Sequence, residues 1–154
     1  MTYLLFTALI VLLSIAYNKE SGKPDFSGTY IFNAQKSKLE IPAPSSATFT
    51  IEHKEPLFKI SRTIVFDEKS DTWGIELTTD GRDIIVEESE RTLHCRAYWK
   101  GEDLAFDTAI IMKDKRAANF VQYHLSDDGI TITATECFRG PTNQYDNIWV
   151  LYRS

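Results

Sequence analysis

Between Asp25 and Arg153 the chain is a run of short segments in which apolar and polar residues alternate, each closed by turn residues. No segment holds a helical apolar period beyond about three turns. That alternation restricts the fold more than any other feature, because a period of two sends one row of side chains inward and the next into water. Ten segments carry it, at residues 28–33, 47–53, 57–66, 73–79, 82–88, 91–99, 103–112, 117–125, 130–138 and 147–153. Thr79-Asp80-Gly81-Arg82, Lys100-Gly101-Glu102 and Asp127-Asp128-Gly129 each offer a glycine for positive φ at a reversal, and Glu55-Pro56 and Arg139-Gly140-Pro141 mark two more. Residues 34–45, with Pro42 and Pro44, read as a loop. Consecutive hairpins pair each strand with its sequence neighbour. The pattern predicts an all-β fold: an antiparallel up-and-down meander of about eight to ten strands closed into a barrel, with a β-sandwich as the alternative.

The same alternation names an interior. Phe49 and Ile51 share a face, as do Phe58, Ile60, Ile64 and Phe66; Trp73, Ile75 and Leu77; Leu93, Cys95, Ala97 and Trp99. Leu104, Phe106, Ile110 and Met112 follow, then Ile130, Ile132 and Ala134. Each large apolar side chain taken out of water contributes roughly 1.5–3 kcal/mol, so these rows suffice for a core without a metal.

With 154 residues, 43% hydrophobic and 25% charged, the chain is long enough for one folded domain and too apolar for a disordered one. A net charge of −5 and the lack of a basic face argue against nucleic acid as a partner. Leu4 to Ala16 is an apolar run broken only by Thr7 and Ser14, and a polar stretch follows. It is short for a membrane span and fits the apolar part of a secretory signal, with Ser14 and Ala16 as the small residues before a cleavage site. The division expected is a signal peptide at 1–16, a polar tether at 17–25 and one β-barrel domain at 26–154. That places the protein outside the cytoplasm, periplasmic or secreted; the alternative is anchoring by an uncleaved N-terminal segment, the one route to a membrane.

Export permits a disulfide between Cys95 and Cys137, but the parity of their strands sets Cys95 on an apolar row and Cys137 with Thr131, Thr133 and Thr135. A disulfide and two separate thiols both stay open. Arg62 interrupts the row Phe58-Ile60-Ile64-Phe66, and an inward guanidinium needs a partner. It is either an anchor for a ligand's carboxylate or phosphate, or structural: at a bulge, at a strand end reaching water, or paired with a carboxylate such as Glu136. Gln122 and His124 follow Ala118 and Phe120 at period two, but Val121, Tyr123 and Leu125 make an equally good inner row. His53, His94 and His124 lack metal-ligand spacing, and no nucleophile elbow, phosphate loop or dinucleotide fingerprint is present, so no cofactor is expected.

Asp25-Phe26-Ser27-Gly28-Thr29-Tyr30 resembles the opening of calycins, the lipocalins and fatty-acid-binding proteins, where Gly-x-Trp begins the barrel; Tyr30 stands in the Trp place. The continuation to Lys38, with Asp128 to Thr133 and Trp149 to Arg153, is similar to small exported bacterial lipocalin-like proteins of unassigned function. The resemblance implies a lipocalin-like barrel in which Gly28, Tyr30 and Arg153 serve closure, with Arg153 packed over the Tyr30 ring. The middle lipocalin motif Thr-Asp-Tyr has no clear match.

The expected function is binding of a small, largely apolar ligand in the lumen. Arg62 would hold an anionic end, and Gln122, His124 and Tyr152 would exchange hydrogen bonds with the ligand. One alternative is a filled barrel serving as an envelope or surface interaction module. The other is a hydrolase or isomerase using His124 and a carboxylate. The oligomeric state is open.

Overall fold

The computed structural model describes residues 22–154. The segment expected as a signal peptide and most of the tether lie outside them. Ten strands run in chain order: β1 (Gly28–Phe32), β2 (Ser46–Lys54), β3 (Leu57–Phe66), β4 (Lys69–Thr78), β5 (Ile84–Glu87), β6 (Thr92–Lys100), β7 (Asp103–Met112), β8 (Lys115–Leu125), β9 (Thr131–Arg139) and β10 (Gln144–Arg153). They form one antiparallel sheet in the order β4-β3-β2-β1-β10-β9-β8-β7-β6-β5. The meander therefore wraps into a nearly closed barrel, joined by the pairing of β1 with β10 and open only between β4 and β5. The gap has a local cause. After β4 the chain is stitched to β6 by the Asp80–Tyr98 bridge and by the Gly81 N–H donating to Ala97 O at 2.8 Å. The four-residue β5 then hangs on β6 rather than returning along β4.

Two strands begin earlier than their apolar pattern. β4 starts at Lys69 because Lys69 to Thr72 pair with Val65, Phe66 and their neighbours across a two-residue turn, although their side chains are polar. β10 starts at Gln144, paired with Arg139. Ile130, expected inside, is 49% exposed, because the turn from Ser126 runs through it and β9 begins only at Thr131.

One end of the barrel is a packed floor. Phe26, Tyr30, Phe58, Leu104, Ile132 and Leu151 are fully buried there. Phe26 crosses the opening, with ring centroids 6.1 Å from both His53 and Trp99 and 6.3 Å from Tyr123. The Arg153 guanidinium lies over the Tyr30 ring at 5.1 Å and donates to Gly129 O at 2.8 Å, Ser27 O at 2.6 Å and Tyr30 Oη at 2.8 Å. Gly28, at φ 145, leaves room for it: a Cβ there would sit 2.9 Å from Arg153 Nη1. The Phe26 N–H donates to His53 Nδ1 at 3.2 Å, so the ring's proton sits on Nε2, which meets Glu55 Oε1 at 2.8 Å. Glu55 also accepts from Thr79 and from Trp99 Nε1.

The opposite end is the mouth. Its rim is made by the turns at Asp67-Glu68, Lys113-Asp114 and 140–143, by the β5–β6 turn, and by the long segment 33–45. That segment continues the sheet beside β10 where β1 stops. Lys38 bridges Ile148, the Val150 N–H donates to Ser37 Oγ at 2.8 Å, and Leu39 and Ile41 pack onto the core.

Candidate ligand-binding lumen

Between floor and mouth lies a cavity of about 480 Å³. Its walls are mainly apolar, among them Ile60, Ile75, Leu93, Phe106, Ile110 and Leu151, and at the rim it reaches Phe66, Asp71 and Arg91. Arg91 is tied to Glu88. A volume of this size is in the range of small-molecule sites.

Arg62 projects into this space from β3. Its guanidinium stands 5.7 Å from the ring centroid of Trp73, its cross-strand neighbour on β4. Among the described residues no carboxylate lies within ion-pairing distance of it. Glu136 also faces the lumen, from β9, but does not pair with Arg62. It accepts instead from Asn119 Nδ2 at 3.1 Å, Asn147 Nδ2 at 2.9 Å and Trp149 Nε1 at 2.9 Å. The Tyr123 phenol, buried on the inner row of β8, feels both charges. Burial pushes its pKa up; Arg62 opposes that shift and Glu136 adds to it. Burial raises the Tyr145 phenol as well, with Glu136 and Arg62 acting in the same opposed senses.

Three expected ligand contacts lie elsewhere. Gln122 and His124 sit on the outer face of β8, because the inner row is Asn119, Val121 and Tyr123. There Gln122 Nε2 donates to Asp103 Oδ2 at 2.6 Å, and His124 Nδ1 meets Asp103 Oδ1 at 2.7 Å. Burial raises the Asp103 carboxyl, but the His124 and Gln122 bonds outweigh it and hold the group below its ordinary value. So His124 does have a carboxylate partner, on the outside of the barrel and away from the cavity. Tyr152 is also turned outward, 36% exposed, because its neighbour Leu151 fills the inner position on β10. The cavity lining supplies Asn119, Tyr123, Glu136 and Trp149 in their place, with Asn147 fully buried and bonded to Glu136. Asn119 and Asn147 carry the same sign in the sequence as Arg62, a polar residue on an apolar row.

The two cysteines are free. Cys95 faces the lumen from β6, while Cys137 alternates with the lumen-facing Glu136 and Phe138 and points out of β9.

No family model matches the chain, and no curated protein matches it. Solved structures do. The REP1-NXSQ fatty acid transporter aligns with a TM-score of 0.57 at 12% identity, over 84% of this chain and 96% of that one. A heat soluble SAHS protein from Ramazzottius varieornatus aligns with a TM-score of 0.58 at 9% identity, over 86% and 97%. Zebrafish ileal bile acid-binding protein complexed with cholic acid aligns with a TM-score of 0.54 at 11% identity, over 84% and 98%. At such identities the likeness defines a fold: a calycin-like antiparallel barrel of the kind seen in fatty-acid-binding proteins.

Proposed function

We propose that this barrel binds a small, largely apolar acid in its lumen, with the carboxylate end on Arg62. One observation carries the reading: an apolar cavity of about 480 Å³ holds a guanidinium with no carboxylate partner among the described residues. Arg62 is partly buried, and a partly buried cation without a counter-charge carries a desolvation cost that a ligand anion relieves through paired, charge-assisted hydrogen bonds. The names of the similar structures, a fatty acid transporter and a bile acid-binding protein, support the same class of cargo. The motifs at 28–38 and 128–153 support a place among small exported bacterial lipocalin-like proteins. Residues 1–16 support export, which N-terminal sequencing of the protein from its source cells checks.

The test compares dodecanoate with dodecanol by calorimetric titration of the wild type and Arg62→Met. A hydrogen-bonded charge pair contributes about 1.5–3 kcal/mol, so the substitution is expected to weaken dodecanoate binding by roughly ten- to a hundredfold and to leave dodecanol unchanged. Equal loss for both probes, or dodecanoate binding that survives Arg62→Met, removes Arg62 as the anchor. Failure of both probes to bind the wild type removes the reading itself.

A further inference from the structure

Arg62 brings donors to the lumen from the β3 wall. The β8–β9–β10 wall presents acceptors. Glu136 Oε1 takes one bond, from Asn119, and Oε2 takes two, from Asn147 and Trp149. A carboxylate offers about four lone-pair sites, so Oε1 keeps one free. The group is held in place. The Asn147 side chain is fully buried, and its Oδ1 accepts from the Glu40 N–H at 2.8 Å, which sets its amide so that Nδ2 meets Glu136. Asn119 is oriented too, since a flipped amide would set its oxygen against the carboxylate. Its Oδ1 is consequently buried with no partner among the described residues. An unanswered carbonyl dipole on the amide that holds the carboxylate adds a second unused acceptor to this wall. Arg62 stands beyond ion-pairing distance of Glu136, and the charges of both reach the Tyr123 phenol.

We infer that the lumen selects a hydroxylated amphipathic acid, its carboxylate at Arg62 and a hydroxyl on its body donating to Glu136 Oε1. The inference rests on the lumen-binding reading above. A bare hydrocarbon chain laid against Glu136 strips water from the free lone pair and returns nothing, whereas a hydroxyl replaces the lost bond. An ammonium would also satisfy Glu136 but would be repelled by Arg62. Sites that keep a buried polar group for a ligand hydroxyl reject the analogue lacking it far more strongly than apolar pockets distinguish chain length. Glu136 thus determines specificity, and Asn119, Asn147 and Trp149 position it.

The experiment titrates the full chain with dodecanoate and with dodecanoates hydroxylated at different chain positions, and follows the Trp149 indole N–H resonance in parallel. At least one hydroxylated isomer is expected to bind about fivefold or more tighter than dodecanoate and to shift the Trp149 signal further. Glu136→Gln, whose neutral amide bonds a hydroxyl more weakly than the carboxylate does, is expected to shrink that preference while dodecanoate still binds. Dodecanoate binding as tightly as every hydroxylated isomer overturns the inference and leaves the lumen reading intact. So does a preference that is undiminished in Glu136→Gln. No binding of any acid overturns both. Should Glu136→Gln fail to fold, the wild-type ranking and the Trp149 shift still decide the matter.

Discussion

The floor and the mouth of this barrel are built on opposite terms. At the floor the large side chains are packed and the polar groups are answered: Arg153 has three acceptors, and Glu55 gathers His53, Thr79 and Trp99. At the mouth, half-exposed aromatics border the cavity, and Phe138 stacks on Tyr145 at 4.8 Å rather than on a core. The turns differ as well. Floor reversals place Gly81, Gly101 and Gly129 at φ 81, 67 and 71, whereas at the mouth Asp67 and Lys113 are held at φ 51. A barrel that concentrates its packing at one end keeps the other open without losing the fold, and Arg62 lies between the two regimes.

The contrast is sharpest for single truncations. Tyr30→Ala removes a fully buried ring, its bond to Phe26 O and the surface under Arg153, and is expected to cost about 3–5 kcal/mol. Phe66→Ala at the mouth, where the ring is 41% exposed, is expected to cost less than about 1 kcal/mol. Urea denaturation of the two variants measures both. Equal losses would mean that stability is spread evenly along the barrel.

A smaller effect separates the ends by pH. Burial raises the Glu55 carboxyl, but the bonds from His53, Thr79 and Trp99 outweigh it and hold the group below its ordinary value of 4.5. A folded-state value below the unfolded one gives stability that is present above the unfolded value and is lost as the pH falls through the folded one. The wild type is therefore expected to lose more stability than Glu55→Gln on acidification below about pH 4.5. Parallel acid titrations of stability for the two proteins would remove Glu55 from the floor's account.

Much of this layout is legible in the sequence, and the exceptions have physical causes. The hairpin meander, the inner rows of β2, β3, β4, β6 and β7, and Arg62 as a polar residue on an apolar row follow from alternation alone. The parity of β8 does not, because Ala118 and Phe120 on one row weigh about as much as Val121 and Tyr123 on the other. Register with its neighbours settles it: Tyr123 pairs with Leu104 and Ala134, both buried. That choice carries Gln122 and His124 outward to Asp103. Which carboxylate meets which cation depends on the circumference of the closed sheet, so an Arg62–Glu136 pair is plausible on row parity and fails on distance. Tyr152 illustrates the reverse case, since the burial of Leu151 beside it already dictates an outward direction.

The smallest test concerns the turns. A residue other than glycine held in the left-handed region costs roughly 1–2 kcal/mol, and glycine gives back part of that gain by its greater freedom in the unfolded chain, about 0.5–1 kcal/mol. Lys113→Gly is thus expected to stabilise the barrel by about 0.5–1 kcal/mol, a rise of a few degrees in Tm. Asp67→Gly should gain less, because a short polar side chain tolerates that conformation through local hydrogen bonds. Gly101→Ala at the floor should move Tm the other way. If Lys113→Gly leaves Tm unchanged while Gly101→Ala lowers it, the mouth turn holds no strain, and the difference between the two ends rests on side-chain packing alone.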